Sequence, residues 1–257
     1  MVKGDFVPNT PTSLLLEDCA GMMLKDIPPT DFLEVGVGMG DFLRVLGKRG
    51  FTGLGIDLSE DSVTISRAVV KAYGFPGIDI RRDDMMSVDW AFNTVFAFEV
   101  LEHFEDDAAA FRKIFDLLTP GGHFIMSVPA HQSAWGPNDD LAGHIRRYEK
   151  PELWQKLERA GFSVVSFWSA GYPVGNIFKM LRDRMERRAA ETMVGRSARD
   201  RTTDSGVVKV VQAPDRLYNM LFNRFTLMPA LLLQRLFLSS DLGHSYVVKS
   251  RKPGGAA

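Results

Sequence analysis

The chain has 257 residues, 45% of them hydrophobic and 25% charged, and its formal net charge at pH 7 is -1. This composition is typical of a globular protein with a large core and excludes a chain that is basic throughout, so no nucleic-acid partner is favoured. A single cysteine, Cys19, excludes an internal disulfide, and the first residues lack the apolar segment of a signal peptide; both features predict a cytoplasmic protein.

Helical and strand patterns alternate along most of the chain, which is typical of an α/β fold with a largely parallel sheet. The predicted helices are 13–25, 41–49, 60–73, 106–118 and 151–160. The predicted strands are 32–37, 53–57, 78–82, 94–98, 124–128, 163–168 and 245–250. Thr12 or Ser13 is expected to cap the first helix, and the third is expected to begin after Ser59 and to end at Gly74.

Three closely spaced glycines, Gly36, Gly38 and Gly40, follow the apolar run that contains Glu34. Loops that bind dinucleotides use G-x-G-x-x-G, in which the last glycine lets a helix pack close to a pyrophosphate. Here the third glycine comes one residue early, and Asp41 stands in its place. Since an acid at that position would repel a pyrophosphate, the motif predicts a ligand without phosphate.

The acidic residues that follow this loop come in a recognisable order. Asp57 closes the second strand, Asp83 and Asp84 follow the third, and the string EVLEH begins at Glu99 after the fourth. This order resembles motifs I and II and the following elements of class I S-adenosylmethionine (SAM) methyltransferases. The resemblance implies a Rossmann-like, doubly wound, seven-stranded sheet with an antiparallel last strand, and SAM as cofactor.

The resemblance also implies where the cofactor binds. Glu34 would lie near the cationic methionine end, and Asp57 would accept hydrogen bonds from both ribose hydroxyls. The cofactor-binding residues implied in this way are Glu34, Gly36, Gly38, Gly40, Asp57, Leu58, Asp83, Asp84 and Glu99.

The string EVLEH allows two interpretations. It looks like the metal-binding motif of ubiquinone-pathway O-methyltransferases and of plant small-RNA 2′-O-methyltransferases, which would make Glu99, Glu102 and His103 ligands of a divalent cation. The same string occurs in metal-free small-molecule methyltransferases, where it shapes the wall of the pocket. A metal site is possible, but the metal-free interpretation is preferred.

The loop after the fifth strand carries many polar side chains and the string G-H-x-R-R-Y at residues 143–148. That string resembles a subgroup of bacterial methyltransferases associated with natural products and cell-envelope glycans. For a hydroxyl acceptor a histidine is a suitable base at neutral pH, and the candidates are His144 and His131, followed by His103. Each of them could instead be a structural histidine.

The other side chains of this loop also have two interpretations. Arg146 or Arg147 could orient an acceptor carboxylate or phosphate, or could form an ion pair with a nearby acid on the surface. Tyr148 and Trp135 could line the acceptor site or only pack. The candidate catalytic residues are therefore His144, His131, His103, Arg147 and Tyr148.

Residues 175–243 form an insert before the last strand of what is expected to be one domain covering 1–257. Residues 182–209 of the insert are charged, whereas 215–238 are apolar and helix-like, broken at Pro229. Apolar side chains recur there at helical spacing; they are Leu217, Met220, Leu221, Phe225 and Met228. It could cover a sheet edge, form a lid over a hydrophobic acceptor, contact a membrane surface or form a homodimer interface.

The sequence therefore predicts a SAM-dependent methyltransferase acting on an oxygen, in a hydroxyl or carboxylate, of a small-molecule or lipid-like acceptor. Specialised metabolite or envelope glycan biosynthesis is the expected setting. The alternatives are C- or N-methylation, 2′-O-methylation of nucleic acid, and a SAM-binding module without catalysis.

Overall fold

The computed structural model describes residues 10–190 and 222–254, and the side chains of 10–184 and 222–254. The sequence predictions for Leu217, Met220 and Leu221 lie outside these residues. In the described chain a seven-stranded sheet has the order β3-β2-β1-β4-β5-β7-β6. The first five strands pair in parallel, and β7 runs antiparallel between β5 and β6. This confirms the predicted Rossmann-like class I methyltransferase sheet.

The strands are β1 Asp31–Val35, β2 Thr52–Asp57, β3 Ile78–Arg82, β4 Phe92–Phe98, β5 Leu118–Pro129, β6 Ser163–Ala170 and β7 Ser245–Arg251. The helices of the described residues are α1 Pro11–Met23, α2 Asp41–Lys48, α3 Glu60–Tyr73, α4 Asp107–Asp116, α5 Pro137–Ala142, α6 Lys150–Arg159, α7 Val174–Ala190 and α8 Met228–Arg235.

Neighbouring side chains of the central strands enter two separate cores, one on each face of the sheet. In β1, Leu33 belongs to one core and Phe32 to the other; in β4, Val95 and Phe96 divide in the same way. This follows from the two-residue repeat of a strand, and it explains why these strands are apolar almost throughout. The sheet is therefore covered on both faces, and its strand ends are left to hold ligands.

Two predicted boundaries are wrong for identifiable reasons. The first helix begins at Pro11 because the Thr10 side chain, rather than Thr12 or Ser13, caps it by accepting a hydrogen bond from the Ser13 amide at 3.1 Å. The predicted helix 106–118 and the turn after it overlap the start of β5, since Leu118 already pairs with Phe92. The register is irregular between Phe92 and Thr94, which lets the strand accommodate residues 120–122 despite their proline and glycines.

The described part of the insert differs from the prediction. Pro229 does not break a helix but stands in the first turn of α8, where its missing amide hydrogen is not needed. Phe225 is 87% exposed and Met228 is 43% exposed, so the predicted apolar face is not buried at these two positions. Among the helices of the described chain, none combines the length and the hydropathy that a bilayer crossing requires.

Candidate active site

The glycine loop between β1 and α2 forms one wall of the site. Gly36 has a φ of +72°, and a Cβ there would come within 2.6 Å of the Val100 side chain, so only glycine fits. Gly38 also has a positive φ, of +49°, but a Cβ there would meet nothing within 4 Å. The loop is therefore tightly packed behind Gly36 and open in front of Gly38.

Asp57, at the end of β2, is joined to this loop. Its carboxylate accepts hydrogen bonds from the Gly38 amide and the Ser59 amide, each at 2.9 Å. Burial raises the pKa of Asp57, although these hydrogen bonds counteract the increase. Each carboxylate oxygen can accept more than one hydrogen bond, so the residue retains capacity for a diol.

Glu34 lies beside the loop, in β1, and is only 2% exposed. Its Oε2 atom is buried and has no hydrogen-bond partner. Burial raises the pKa of Glu34 well above its usual value, and the nearby carboxylates Asp41, Asp57 and Glu17 raise it further. A cationic ligand group would stabilise this carboxylate. The open loop, Asp57 and Glu34 therefore fit a ligand with hydroxyls and a cationic end, as SAM has.

The other residues expected at the cofactor lie around the same strand ends. Leu58 follows β2 and is 49% exposed. The carboxylate of Asp83 accepts hydrogen bonds from the Asp84 amide and the Ser87 hydroxyl, and that of Asp84 accepts one from the Met86 amide. Both acids thus shape the turn after β3, and their contact with a cofactor stays a prediction.

Glu99 directly follows β4 and has a φ of 54°, a conformation that is unusual for a residue other than glycine. Its amide donates to the Ser127 carbonyl at 3.0 Å, and its Oε1 accepts from the Ser127 hydroxyl at 2.8 Å. These two bonds to β5 hold the strained residue in place. Strain of this kind is frequent at functional sites, and Glu99 lies where open α/β sheets bind ligands.

Glu102, His103 and His144 form a cluster next to Glu99. Glu102 is fully buried, neither of its carboxylate oxygens has a hydrogen-bond partner, and its Oε1 lies 3.6 Å from His144 Nε2. Burial, followed by the charge of Glu99, raises the pKa of Glu102 well above its usual value. Burial and the neighbouring His144 lower the pKa of His103 to about 4.

One potential ligand atom from each member of this cluster lies within 4.8 Å of the others, so the three could hold a metal ion. The set differs from the predicted one, because His144 takes the place expected for Glu99. Two imidazoles and one carboxylate suit a divalent transition metal.

His144 is oriented from its other side by Asp139. The Nδ1 atom lies 2.8 Å from Asp139 Oδ1, and Arg147 Nε donates to the same oxygen at 2.9 Å. Burial acts to raise the pKa of Asp139, but the hydrogen bonds from His144 and Arg147 outweigh it and lower the pKa to about 2. An ionised Asp139 favours a proton on Nδ1, which leaves Nε2 able to accept another. Asp139 lies in the first turn of the short helix α5 and was not among the residues predicted for the site.

The side chains of Arg147 and Tyr148 are both hydrogen-bonded within the core of the protein. Arg147 is 5% exposed, and its Nη1 donates to the Ala130 carbonyl at 2.8 Å. The Tyr148 hydroxyl is buried, 2.9 Å from Asp107 Oδ2. Arg146 pairs with the same Asp107 at 3.0 Å. Both residues therefore hold the loop against the core, and the expected catalytic roles of Arg147 and Tyr148 stay predictions.

His131 lies in a different environment from His144. It has a φ of 61°, its Nδ1 lies 3.3 Å from Glu149 Oε2, and its ring packs on Tyr246. Its Nε2 is 3.7 Å from Asp241. His103 and His144 therefore lie together, whereas His131 lies against Glu149, directly before α6, and Tyr246 in β7. This arrangement favours His144 as the base.

The sheet order and the glycine loop after β1 are those of the class I methyltransferase fold, which binds SAM. Residues 13–167 match the family model described as "Methyltransferase domain". The chain therefore belongs to this family and contains a SAM-dependent methyltransferase domain.

Several curated proteins are similar in sequence. A "probable S-adenosylmethionine-dependent methyltransferase" of Mycolicibacterium smegmatis is 31% identical over 140 residues, 52% of each chain. A 2-methyl-6-phytyl-1,4-hydroquinone methyltransferase of Synechocystis is 29% identical over 53% of this chain and 42% of its own. A ubiquinone biosynthesis O-methyltransferase of Paramagnetospirillum magneticum is 33% identical over 40% and 42%. The chain spans about half or less of the length of these relatives.

Solved structures share the fold at low sequence identity. A SAM-dependent methyltransferase from Mesorhizobium loti has a TM-score of 0.56 and 19% identity, covering 95% of this chain and 98% of its own. The [4+2]-cyclase SpnF has a TM-score of 0.59 and 20% identity, covering 93% and 80%. At this identity the likeness shows the fold alone.

Proposed function

We propose that the protein methylates an oxygen of a small-molecule or lipid-like acceptor and that His144 takes the acceptor's hydroxyl proton. The observation that carries this proposal is the pair Asp139 and His144, 2.8 Å apart, in the loop that follows β5. The sequence relatives named for a hydroquinone acceptor and for ubiquinone biosynthesis support the acceptor class.

When bound, SAM supplies an electrophilic methyl carbon. The residues of this chain position the acceptor and receive its proton. His144 Nε2 accepts the proton, and Asp139, ionised at neutral pH, stabilises the imidazolium that results. The glycine loop and Asp57 fix the cofactor's position, which matters because methyl transfer depends on alignment.

A second version of the same function is favoured by the cluster of Glu102, His103 and His144. If these residues bind a divalent cation, the cation lowers the pKa of the acceptor hydroxyl, and His144 acts as a ligand rather than as the base. The two versions differ in whether chelation of the cation abolishes turnover.

The acceptor atom can be determined directly. The protein is incubated with SAM carrying a ¹³C-labelled methyl group and with hydroquinones, catechols and hydroxylated or carboxylated lipids, and NMR then locates the labelled methyl. We expect label on oxygen. Label on carbon or nitrogen would reject O-methylation, and binding of SAM without turnover of any acceptor in the panel would favour a non-catalytic module.

A further inference from the structure

Helix α1 carries a buried carboxyl that the proposed chemistry does not use. Glu17 is only 8% exposed, and its Oε1 has no hydrogen-bond partner. The Arg44 side chain is 3.8 Å away, too far for a hydrogen bond, and its Nη2 hydrogen-bonds Asp41 at 2.9 Å. A buried, incompletely solvated carboxyl is costly, so its retention calls for an explanation.

Glu17 lies by the same glycine loop as Glu34, because Arg44 Nη2, 3.8 Å from Glu17 Oε1, also hydrogen-bonds Asp41, the residue directly after Gly40. Burial and then Asp41 raise the pKa of Glu17 to about 8, against the lowering effect of Arg44, Arg224 and Lys48. Glu17 in turn raises the pKa of Glu34. Each of these two carboxyls has one buried oxygen without a partner. Their juxtaposition beside the glycine loop creates a site that favours a cation.

The position of Glu17 is fixed because the residues next to it in α1 are hydrogen-bonded to α8 and to Arg224, which precedes α8. The adjacent Asp18 accepts hydrogen bonds from Arg235 Nη2 at 2.8 Å and from Arg224 Nη2 at 3.2 Å. Gln234 donates to the Leu15 carbonyl at 3.1 Å. Because Asp18 is held on the side of the insert, Glu17 is held toward Arg44 and the acids of the site.

We propose that Glu17 is a second carboxyl, together with Glu34, for the α-ammonium group of the bound cofactor. Helix α1 would then close the methionine end of the site, and residues from both β1 and α1 would recognise the amino acid. This inference rests on the family's cofactor and not on the identity of the acceptor, so a failure of the proposed O-methylation leaves it intact.

Binding of three adenosine ligands tests the proposal without turnover. S-adenosylhomocysteine has the α-ammonium and α-carboxylate, its decarboxylated analogue keeps the amine, and 5′-methylthioadenosine lacks both. For Glu17→Gln, calorimetry should show about tenfold weaker binding of the two amines and unchanged binding of methylthioadenosine, as expected for loss of a charge-assisted hydrogen bond. Asp18→Asn, one residue further on, is the matched control and should not discriminate among the three ligands.

Wild-type affinity of Glu17→Gln for S-adenosylhomocysteine would overturn the proposal, as would an equal loss for all three ligands. Loss of binding by S-adenosylhomocysteine alone, with the decarboxylated amine unaffected, would assign Glu17 to the carboxylate end and also overturn it. Circular dichroism checks folding. If the glutamine variant is unfolded, Glu17→Met takes its place, and unfolding of both would give Glu17 a purely structural role.

Discussion

At the scale of single residues, the site depends on carboxyl groups whose environments differ. Asp139 is ionised by two strong hydrogen-bond donors, whereas Glu34 and Glu102 are buried with unpartnered oxygens. A carboxylate that already has donors can orient a base, and one that lacks them is available to a cation or a proton. Asp139 is therefore suited to orienting His144, and Glu34 to the cationic end of a ligand.

Asp57 provides a residue-scale prediction for cofactor binding. Asp57→Ala removes the acceptor of the Gly38 amide and the expected partner of the ribose hydroxyls. We expect SAM affinity to fall by about 1.5–3 kcal/mol, the range for hydrogen bonds to a charged group. Calorimetry measures the loss, with Asp79→Ala, an exposed acid of β3, as control. Unchanged affinity for Asp57→Ala would contradict the ribose assignment.

The cluster of Glu102, His103 and His144 gives a second residue-scale prediction. If His144 is the base, turnover should persist after treatment with EDTA, because no cation is needed to activate the hydroxyl. Activity assays before and after chelation measure this. The metal-dependent version would be supported instead if EDTA abolished activity and Mg²⁺ or Mn²⁺ restored it. In that case Glu102→Gln should be inactive even with added metal.

At the scale of elements, the sequence was informative where local chemistry decides the structure. Helix α3 has the predicted bounds because Ser59 caps its start and Gly74, in the left-handed region, ends it. Strand β3 also has its predicted bounds. The contact between Glu102 and His144 was not predicted, since it joins residues from two strand ends that only the folded sheet brings together. The start of β5 was missed for a similar reason, as it depends on pairing with Phe92.

In the described part of the insert, apolar side chains in and just before α8 differ in burial, and this difference predicts how much each contributes to stability. Phe225 is 87% exposed, whereas Leu231 is 1% exposed. Phe225→Asp should change the free energy of unfolding by no more than about 0.5 kcal/mol, while Leu231→Asp should cost several kcal/mol, because only the second buries a charge. Thermal or urea unfolding measures both. An equally large loss for Phe225→Asp would show that Phe225 packs in the folded protein.

The Phe225→Asp variant also separates the remaining interpretations of the insert. If the exposed apolar side chains contact lipid, wild-type protein should bind liposomes and Phe225→Asp should not. If they form a lid, the substitution should raise the acceptor KM without changing SAM affinity. Sedimentation would detect a homodimer that depends on the same residue. The insert's role, its bounds 175–243 and a cytoplasmic location stay predictions.

At the scale of the whole molecule, buried ionisable groups make the stability of the ligand-free protein depend on pH. Glu17 has a pKa of about 8 in the fold, raised first by burial, against 4.5 as its ordinary value. A raised folded pKa contributes stability that is present below the unfolded value and is lost as pH rises through the folded value. Glu17 therefore destabilises the fold progressively between about pH 4.5 and pH 8.

Replacing Glu17 with glutamine, which does not ionise, should remove its contribution to the pH dependence of stability. Glu17→Gln should gain stability relative to wild type as pH rises from about 5 to 8, by a few degrees in Tm or more. Differential scanning of both proteins over this range, without cofactor, measures the difference. The comparison cancels the opposing effects of His103 and His244, whose pKa values burial lowers to about 4 and about 3. A difference in Tm that does not change with pH would contradict the prediction.

The central claim, that Asp139 and His144 remove the acceptor's proton during methyl transfer to oxygen, is tested most directly by the single-turnover rate of methyl transfer. Once an acceptor is identified, the rate is measured at saturating SAM for wild type, His144→Ala and Asp139→Asn, and SAM affinity is measured alongside. We expect the rate to fall by about 10²–10⁴-fold in His144→Ala, the usual contribution of general base catalysis, and to a smaller extent in Asp139→Asn, with SAM affinity unchanged. A His144→Ala variant that transfers the methyl group at the wild-type rate would contradict the account.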